Sequence, residues 1–560
     1  MDISGNEVIM SKKKMAINFA MQATILAVAS IISKLIGMIY NIPFANMLSD
    51  EGNGYYGKAQ TVYAFVLLIA TFSIPSAVSK IMAERIQRGE YRNVKRIMNG
   101  TFMYVLIVGG IAAVFVYVCA PMLVSENTVL SLRILAPTIF LSGFLSVYRG
   151  YFQSYGNMVP TSVSQIVEQI FNAIFSIVMA MLFMKWAAAN GYADNTSKYG
   201  AAGGTVGTGV AVLAGLIYMV LLFRGEKREL DYKIESDASE SVLSYKQVFK
   251  LLLMIATPMI LSAAIYNINV PLDMTIYEKL LAHMGMSEKA ISGQYGIYSR
   301  MYLVLANVPI AMAAAVASAV IPNVSATFAS GKIEECNSRI LQSLRLTMVL
   351  TVPCAVGFAV LGGPVGRLIY YSLSDTNQKM LTNMLLIGGI SIVLYGISSV
   401  LNGVLQGIGK VNIPVFSAVM ALILHIFLLV PLITLAKLGV YSLIIATAFY
   451  AVVVVGINWY YVRKYLGFKM EWRQTVVVPV VSAAIMGIVA IAVYNIIHRA
   501  ALCLWGNYLS NAVATLIAIL FAVLVYFISM FKIGGYNEEM LLAFPKGNLL
   551  IKLAKKIHLL

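Results

Sequence analysis

Charge is scarce in this chain. Only 12% of its 560 residues are Asp, Glu, Lys or Arg, about half the share found in soluble proteins. The mean hydropathy is +0.81, and apolar runs of about 20 residues, each long enough to cross a bilayer, recur along the whole length. The scarcity excludes a sizeable soluble domain and indicates an all-α polytopic membrane protein.

Cysteine and histidine are also few. The four cysteines are scattered without a Cys-x-x-Cys pair, and the four histidines lie far apart, outside any His-Glu-x-x-His motif. These spacings exclude a disulfide framework and give neither a metal site nor a set of catalytic residues. We therefore expect a protein that is not an enzyme and that needs no cofactor.

Acidic residues number 24 against 41 basic ones, which gives a net charge of +17. Such an excess can mark a nucleic-acid-binding protein, but here the basic residues gather in alternate connections between the apolar runs. With the N-terminus inside, this arrangement follows the positive-inside rule. The charge therefore records topology and indicates no nucleic-acid partner. It predicts a multi-pass protein of the plasma membrane with both termini cytoplasmic.

Hydropathy predicts about fourteen transmembrane helices. They lie near residues 16–48, 58–83, 100–123, 130–151, 159–184, 200–223, 247–281, 293–325, 342–373, 380–406, 412–436, 438–463, 474–497 and 504–531.

Three short patterns occur twice, in the same order. The pairs are Ile39–Ile42 with Ile265–Ile268, Gly54–Gly57 with Gly293–Gly296, and Gly150–Gly156 with Gly403–Gly409. Their order suggests duplication of a six-helix unit. Because six is an even number, both lobes enter the membrane in the same orientation, and we expect a parallel pseudo-twofold repeat.

The predicted organisation has five parts. They are an N-terminal six-helix lobe (1–223), a cytoplasmic linker (224–246), a C-terminal six-helix lobe (247–466), two extra transmembrane helices (467–535) and a cytoplasmic basic amphipathic tail (536–560).

Among the cations inside predicted spans, where an isolated charge costs a few kcal/mol or more, three are candidates for binding the substrate. Lys34 is in span 1, Arg300 in span 8 and Arg367 near the outer end of span 9. Lys34 and Arg300 together would make a cavity between the lobes that attracts an anion, and arginine suits a bidentate grip on phosphate. Two alternatives stay open: Arg300 forms an internal ion pair, for example with Asp273, and Arg367 extends to the outer interface.

Two of the carboxylates inside predicted spans are candidate site residues, Glu168 in span 5 and Asp273 in span 7. Each is a candidate site for coupling transport to a proton or a cation. The alternative is that each is hydrogen-bonded within its own helix bundle.

Four parts of the sequence resemble the corresponding parts of a known family. They are Ser33–Gly37, Tyr40–Pro43, the Arg300 helix with Ile321-Pro322 and Phe328–Gly331, and the turn Gly403–Gly409. In this order they resemble the polysaccharide-biosynthesis, stage V sporulation protein B branch of the MOP exporter superfamily, which also holds the MurJ-type lipid II flippases and the MATE drug exporters. The resemblance extends over essentially the whole chain.

The resemblance implies export of a lipid-linked oligosaccharide by alternating access between two six-helix lobes. It implies that Lys34 and Arg300 hold the diphosphate in a central cavity and that the last two helices form a groove for the lipid tail. Relatives often carry arginine where Lys34 stands and a basic residue at or beside Asn41. This cavity is thus less basic than the family pattern, so lipid II and another lipid-linked glycan both stay open as substrates.

Two rival functions remain. A MATE-like, cation-coupled multidrug antiporter predicts an anionic cavity around Asp273 and Glu168, and a scaffold for cell-wall synthesis proteins predicts that changes in the cavity have no effect. The expected partners are the lipid-linked glycan, membrane lipids and cell-wall synthesis proteins. Coupling to Na⁺, to H⁺ or to the membrane potential stays open.

Overall fold

The computed structural model describes residues 3–71, 73–239, 241–535 and 552, and it describes side chains mainly from residue 22 onward. In this part of the chain it contains helices and no β-strand. The predicted tail (536–560) lies outside the described residues apart from Lys552.

Seventeen α-helices follow one another in the described residues. They are α1 (Ile3–Met47), α2 (Asp50–Thr71), α3 (Ile74–Gln87), α4 (Tyr91–Leu123), α5 (Glu126–Ser154), α6 (Val159–Ala189), α7 (Thr196–Glu235), α8 (Tyr245–Asn267), α9 (Asn269–His283), α10 (Glu288–Gly296), α11 (Leu303–Ala329), α12 (Ile333–Ile369), α13 (Asp375–Gly407), α14 (Asn412–Thr434), α15 (Tyr441–Leu466), α16 (Val478–Leu502) and α17 (Asn507–Lys532).

The predicted number of spans is confirmed. Among the described residues, 14 helical segments are long and apolar enough to cross a membrane. A helix satisfies its own backbone hydrogen bonds, which lipid cannot do, so each apolar run becomes one helical crossing. Predicted span 7 differs from the structure, since it divides at Ile268 into α8 and α9. Pro271 lies in the first turn of α9, where its missing N–H costs nothing.

Helices of the first compact unit, Met1–Thr275 with Ser287–Gly296, share one large apolar core. It joins α3, α4, α5, α7 and α8 through residues such as Met82, Ile97, Val147, Met219 and Val248. Glycines of α7 allow close packing on α6: a Cβ on Gly207 would lie 2.2 Å from the Ser176 backbone nitrogen. The stretch around Gly203 and Gly207 is therefore a close-packing face, as its small-residue spacing predicts.

Among its described residues, the second compact unit, Ile276–Met286 with Ile297–Leu560, has two larger apolar cores and a smaller one around Ala421 and Tyr450. One joins α11, α12, α13 and α15 around Val324, Ile340 and Val404. The other attaches the last two helices to α12, and the Tyr526 hydroxyl of α17 donates a hydrogen bond to the Val349 carbonyl (3.1 Å). The predicted division into lobes at residues 223 and 247 stays a prediction.

Candidate functional site

Lys34 and Asn41 lie on α1 in the first unit. Lys34 is exposed, and no carboxylate in the described part of the chain forms an ion pair with its ammonium group. Asn41 is 3% exposed. The Lys34 charge is therefore available to an anion, whereas Asn41 belongs to the interior of its unit.

Arg300 and Arg367 belong to the second unit. Arg300 lies in a π-helical turn, Ile297–Tyr302, that joins α10 to α11. Such turns interrupt the regular hydrogen-bond pattern of a helix and are frequent at functional sites. The Tyr370 hydroxyl donates a hydrogen bond to the Arg300 carbonyl (3.5 Å), so this turn lies beside the end of α12, whose last turn carries the exposed Arg367.

Because these cations are divided between two units, the predicted cationic cavity stays a prediction. Asp273 is 5% exposed and lies on α9, beyond the helix break at Ile268 and outside the 245–267 span. The hydropathy prediction placed Asp273 inside predicted span 7 (247–281), because an apolar run alone does not show where a helix divides.

Four helices of the first unit surround a polar cavity of about 210 Å³. Its polar lining comes from α2 (Tyr63, Thr71), α5 (Ser142, Ser146, Arg149), α6 (Glu168, Gln169, Asn172) and α7 (Thr208). A cavity of this size and polarity has room for several water molecules. It places a cluster of polar side chains among helices whose shared core is apolar.

The charged pair of this cavity is Arg149 of α5 and Glu168 of α6. The Arg149 guanidinium donates to the Glu168 carboxylate, and it also donates two hydrogen bonds to the Ser164 hydroxyl (3.0 and 2.8 Å). The two side chains are 15% and 18% exposed. Glu168 is thus neutralised by a partner from the neighbouring helix, which is the alternative that the sequence left open.

Asn172 connects three helices at the edge of the same cavity. Its amide nitrogen donates to the Tyr40 hydroxyl of α1 (2.7 Å), and its amide oxygen accepts from Ser176 (2.9 Å) and from Thr208 of α7 (3.4 Å). One side chain therefore fixes the positions of α1 and α7 against α6.

Sequence reasoning missed Arg149 as a site residue. It lies inside the predicted span 130–151 but is not among the candidate residues that the sequence suggested. The signal that would have found it is Glu168, because a carboxylate inside a span needs a nearby cation or donor.

A second feature joins the repeated motifs Gly54–Gly57 and Gly293–Gly296. A Cβ on Gly54 would lie 1.9 Å from the Ser292 carbonyl oxygen. Next to this contact the fully buried Lys58 donates to the Ser292 hydroxyl (2.9 Å), and Asn127 donates to the Glu288 carboxylate (3.1 Å). Helices α2 and α10 thus meet backbone to backbone, with polar contacts beside the crossing.

Within the described residues no group of three His, Cys, Asp or Glu side chains could hold a metal ion. The carboxylate of the polar cavity is paired, and the cations predicted to bind substrate suit electrostatic capture of an anion.

Two family models match the chain. One, described as polysaccharide biosynthesis protein, matches residues 19–328, and the other, described as MatE, matches residues 280–430. The chain is also 27% identical over 488 residues to the lipid II flippase MurJ of Bacillus subtilis (strain 168), an alignment that covers 83% of this chain and 86% of that protein.

Two solved structures share the fold. One is a lipid II flippase MurJ in an inward closed conformation, with a TM-score of 0.63 and 17% identity over 90% of this chain and 97% of that one. The other is an inward-facing multidrug resistance MATE family transporter of the MOP superfamily, with a TM-score of 0.64 and 15% identity over 80% and 98%.

Proposed function

Because the chain belongs to the polysaccharide biosynthesis protein family, we propose that it is a flippase that exports a lipid-diphosphate-linked precursor of the cell wall or of a polysaccharide by alternating access. The observation that carries the proposal is the likeness to a lipid II flippase along 83% of this chain. The chain is a multi-pass membrane protein with the fold of MOP-superfamily transporters.

The charges of the candidate site support an anionic substrate. Lys34 is exposed on a membrane helix, and the one carboxylate of the polar cavity, Glu168, is paired with Arg149. In this proposal Lys34 and Arg300 hold the two phosphates, and the sugars occupy the predicted central cavity. The lipid tail stays in the bilayer beside α16 and α17. Lys34 acts as a point charge, whereas Arg300 offers a planar fork of donors.

The negative charge of this substrate indicates the membrane potential as the energy source for its export. A diphosphate headgroup carries about two negative charges, and each is worth about 2.3 kcal/mol per 100 mV when it moves toward a positive exterior. An inside-negative potential therefore drives export directly. Collapsing the potential with valinomycin and potassium tests this mode, and export that stops only when a sodium or proton gradient is removed indicates ion coupling.

Complementation of a strain depleted of its lipid II flippase tests the function. We expect rescue by the wild type and by Lys185→Ala, a control that removes an exposed lysine at the end of α6. We expect failure of Arg300→Ala and of Lys34→Ala at matched expression. Rescue by all four proteins would remove both cations from the mechanism, and failure of the wild type would indicate another lipid-linked glycan or another class of substrate.

A cation-coupled multidrug antiporter is the second candidate, favoured by the MatE match over residues 280–430. It requires a carboxylate that binds the coupling ion, and Asp273 is the remaining candidate. Export of a cationic dye that is abolished by Asp273→Asn and kept by Arg300→Ala would support the antiporter over the flippase.

A further inference from the structure

A second cavity lies in the second unit, where α15 ends and α16 begins. It has a volume of about 230 Å³ and is lined by Trp459, Arg463, Phe468, Lys469, Met470 and Trp472. Gly467 ends α15 in the left-handed conformation (φ 60°), which turns the chain back so that residues 468–472 cover the last turns of the helix. The cavity is therefore built by the helix end and its own connection.

Aromatic rings form the wall of this cavity. The Trp459 ring meets Phe468 edge-on at 5.6 Å and lies 6.4 Å from the Trp472 ring. Phe468 is 2% exposed and belongs to the core of the unit, whereas Trp472 is 64% exposed. The wall is thus anchored on one side and open on the other, with an indole at its rim.

The charges of the cavity are positive and unneutralised. Arg463 and Lys469 are exposed, and no carboxylate among the described residues forms an ion pair with either. The one acid between residues 459 and 477 is Glu471, and its carboxylate is paired with Arg345 of α12. The acid of this stretch of chain is therefore already paired, which leaves the two cations to an anionic ligand.

The position of the cavity indicates which kind of anion it binds. It lies at the ends of two membrane helices, on the side that the positive-inside rule assigns to the cytoplasm. Apolar side chains near it remain exposed in the protein, among them Tyr460 (61%), Val477 (49%) and Val480 (44%), and such side chains on membrane helices face lipid. Tryptophan at this boundary is typical of the headgroup level.

From these observations we infer that the cavity binds the phosphate headgroup of an anionic phospholipid from the cytoplasmic leaflet. Arg463 and Lys469 contact the phosphate, and the indoles of Trp459 and Trp472 flank the glycerol. With a volume of about 230 Å³, the cavity has room for a phosphoglycerol group. The site is independent of the transported substrate.

Tryptophan fluorescence tests the site on the full-length protein in nanodiscs. Two of the four tryptophans line the cavity, so Trp186→Phe with Trp505→Phe leaves only these two reporters. Brominated phosphatidylglycerol should quench them at a lower mole fraction than brominated phosphatidylcholine. In that background, Arg463→Ala with Lys469→Ala should weaken the preference by about tenfold or more, since each basic side chain near the surface adds to anionic-lipid attraction.

Lys464→Ala with Arg473→Ala is the matched control, because it removes the same charge from exposed neighbours that do not line the cavity. It should keep the preference, as should the charge-conserving Arg463→Lys with Lys469→Arg, and melting temperatures verify that every variant folds. An equal loss in both alanine pairs would overturn the site in favour of general surface charge. Equal quenching by the two lipids would overturn an anionic ligand, and reversal by millimolar inorganic phosphate would show a free-phosphate site.

Discussion

The guanidinium of Arg149 on α5 donates to the carboxylate of Glu168 on α6, 19 residues away along the chain. The pair lies in the polar cavity of the first unit, and the Arg149 guanidinium also donates to the Ser164 hydroxyl. The carboxylate inside the membrane thus belongs to a neutral ion pair. This pair joins α5 to α6 at one point.

Removal of one partner from this pair should destabilise the protein. Arg149→Ala leaves an uncompensated carboxylate, and we expect a loss of about 3 kcal/mol, the low end for buried pairs because both side chains keep some exposure. Arg149→Ala with Glu168→Ala should cost less than either single change, because no charge is then left alone. The measurement is unfolding in detergent across this double-mutant cycle.

The control is the surface pair Arg88–Glu84, whose side chains are 57% and 54% exposed. Arg88→Ala should change stability by less than about 1 kcal/mol. Full stability of Arg149→Ala together with loss of transport would contradict a structural pair and indicate a role in coupling.

Gly54 should not tolerate alanine. The added methyl group would overlap the Ser292 carbonyl and force α2 and α10 apart, and overpacking of this kind costs about 1–3 kcal/mol. Thermal unfolding measures the loss, and labelling of a cysteine placed at Ser292 measures the separation. Gly110→Ala, in open space inside α4, should be neutral or stabilising by about 1 kcal/mol. Equal melting temperatures for the two variants would refute the close contact.

Asp237 stabilises the start of α4 in a pH-dependent way. Burial tends to raise the pKa of its carboxyl, but hydrogen bonds from the backbone N–H groups of Arg92 (2.7 Å) and Ser239 (2.8 Å) outweigh burial and lower it. Because the folded pKa lies below the unfolded one, near 3.8, the contribution is complete at neutral pH. It disappears as the pH falls through the folded pKa.

Asp237→Asn should therefore cost about 1 kcal/mol at pH 7 and almost nothing once the pH is well below 3.8. Faster hydrogen exchange of the Arg92 amide is the local measurement. Asp194→Asn changes an exposed aspartate and serves as the control. A destabilisation that stays constant with pH would show that the charge is not involved.

Asn172→Leu should loosen the first unit, since it removes the shared partner of Tyr40, Ser176 and Thr208. We expect a loss of about 1–3 kcal/mol from unpaired polar groups. Tyr40→Phe removes only one of these hydrogen bonds and should cost about 1 kcal/mol. Denaturant unfolding ranks the two variants, and a greater effect of Tyr40→Phe would contradict the central position of Asn172.

The membrane spans could be predicted from sequence because they depend on local properties. An apolar run of about 20 residues must form a helix in lipid, whatever surrounds it. The break at Ile268 and the π-helical turn around Arg300 were not predicted, since each is a small departure inside a continuous apolar run. The sequence shows isolated charges among apolar residues, at Lys34, Arg300 and Glu168. It does not show which side chains surround each of them in the folded protein.

The sequence by itself determined that this protein crosses the membrane about fourteen times, that its charge is arranged by topology, and that it resembles a family of lipid-linked glycan exporters. Only the tertiary structure decided that Glu168 is paired with Arg149, that Gly54 meets Ser292, and that Trp459 and Trp472 share a cationic cavity. Hydropathy is a sum over neighbouring residues, whereas each of these contacts depends on which faces of helices meet.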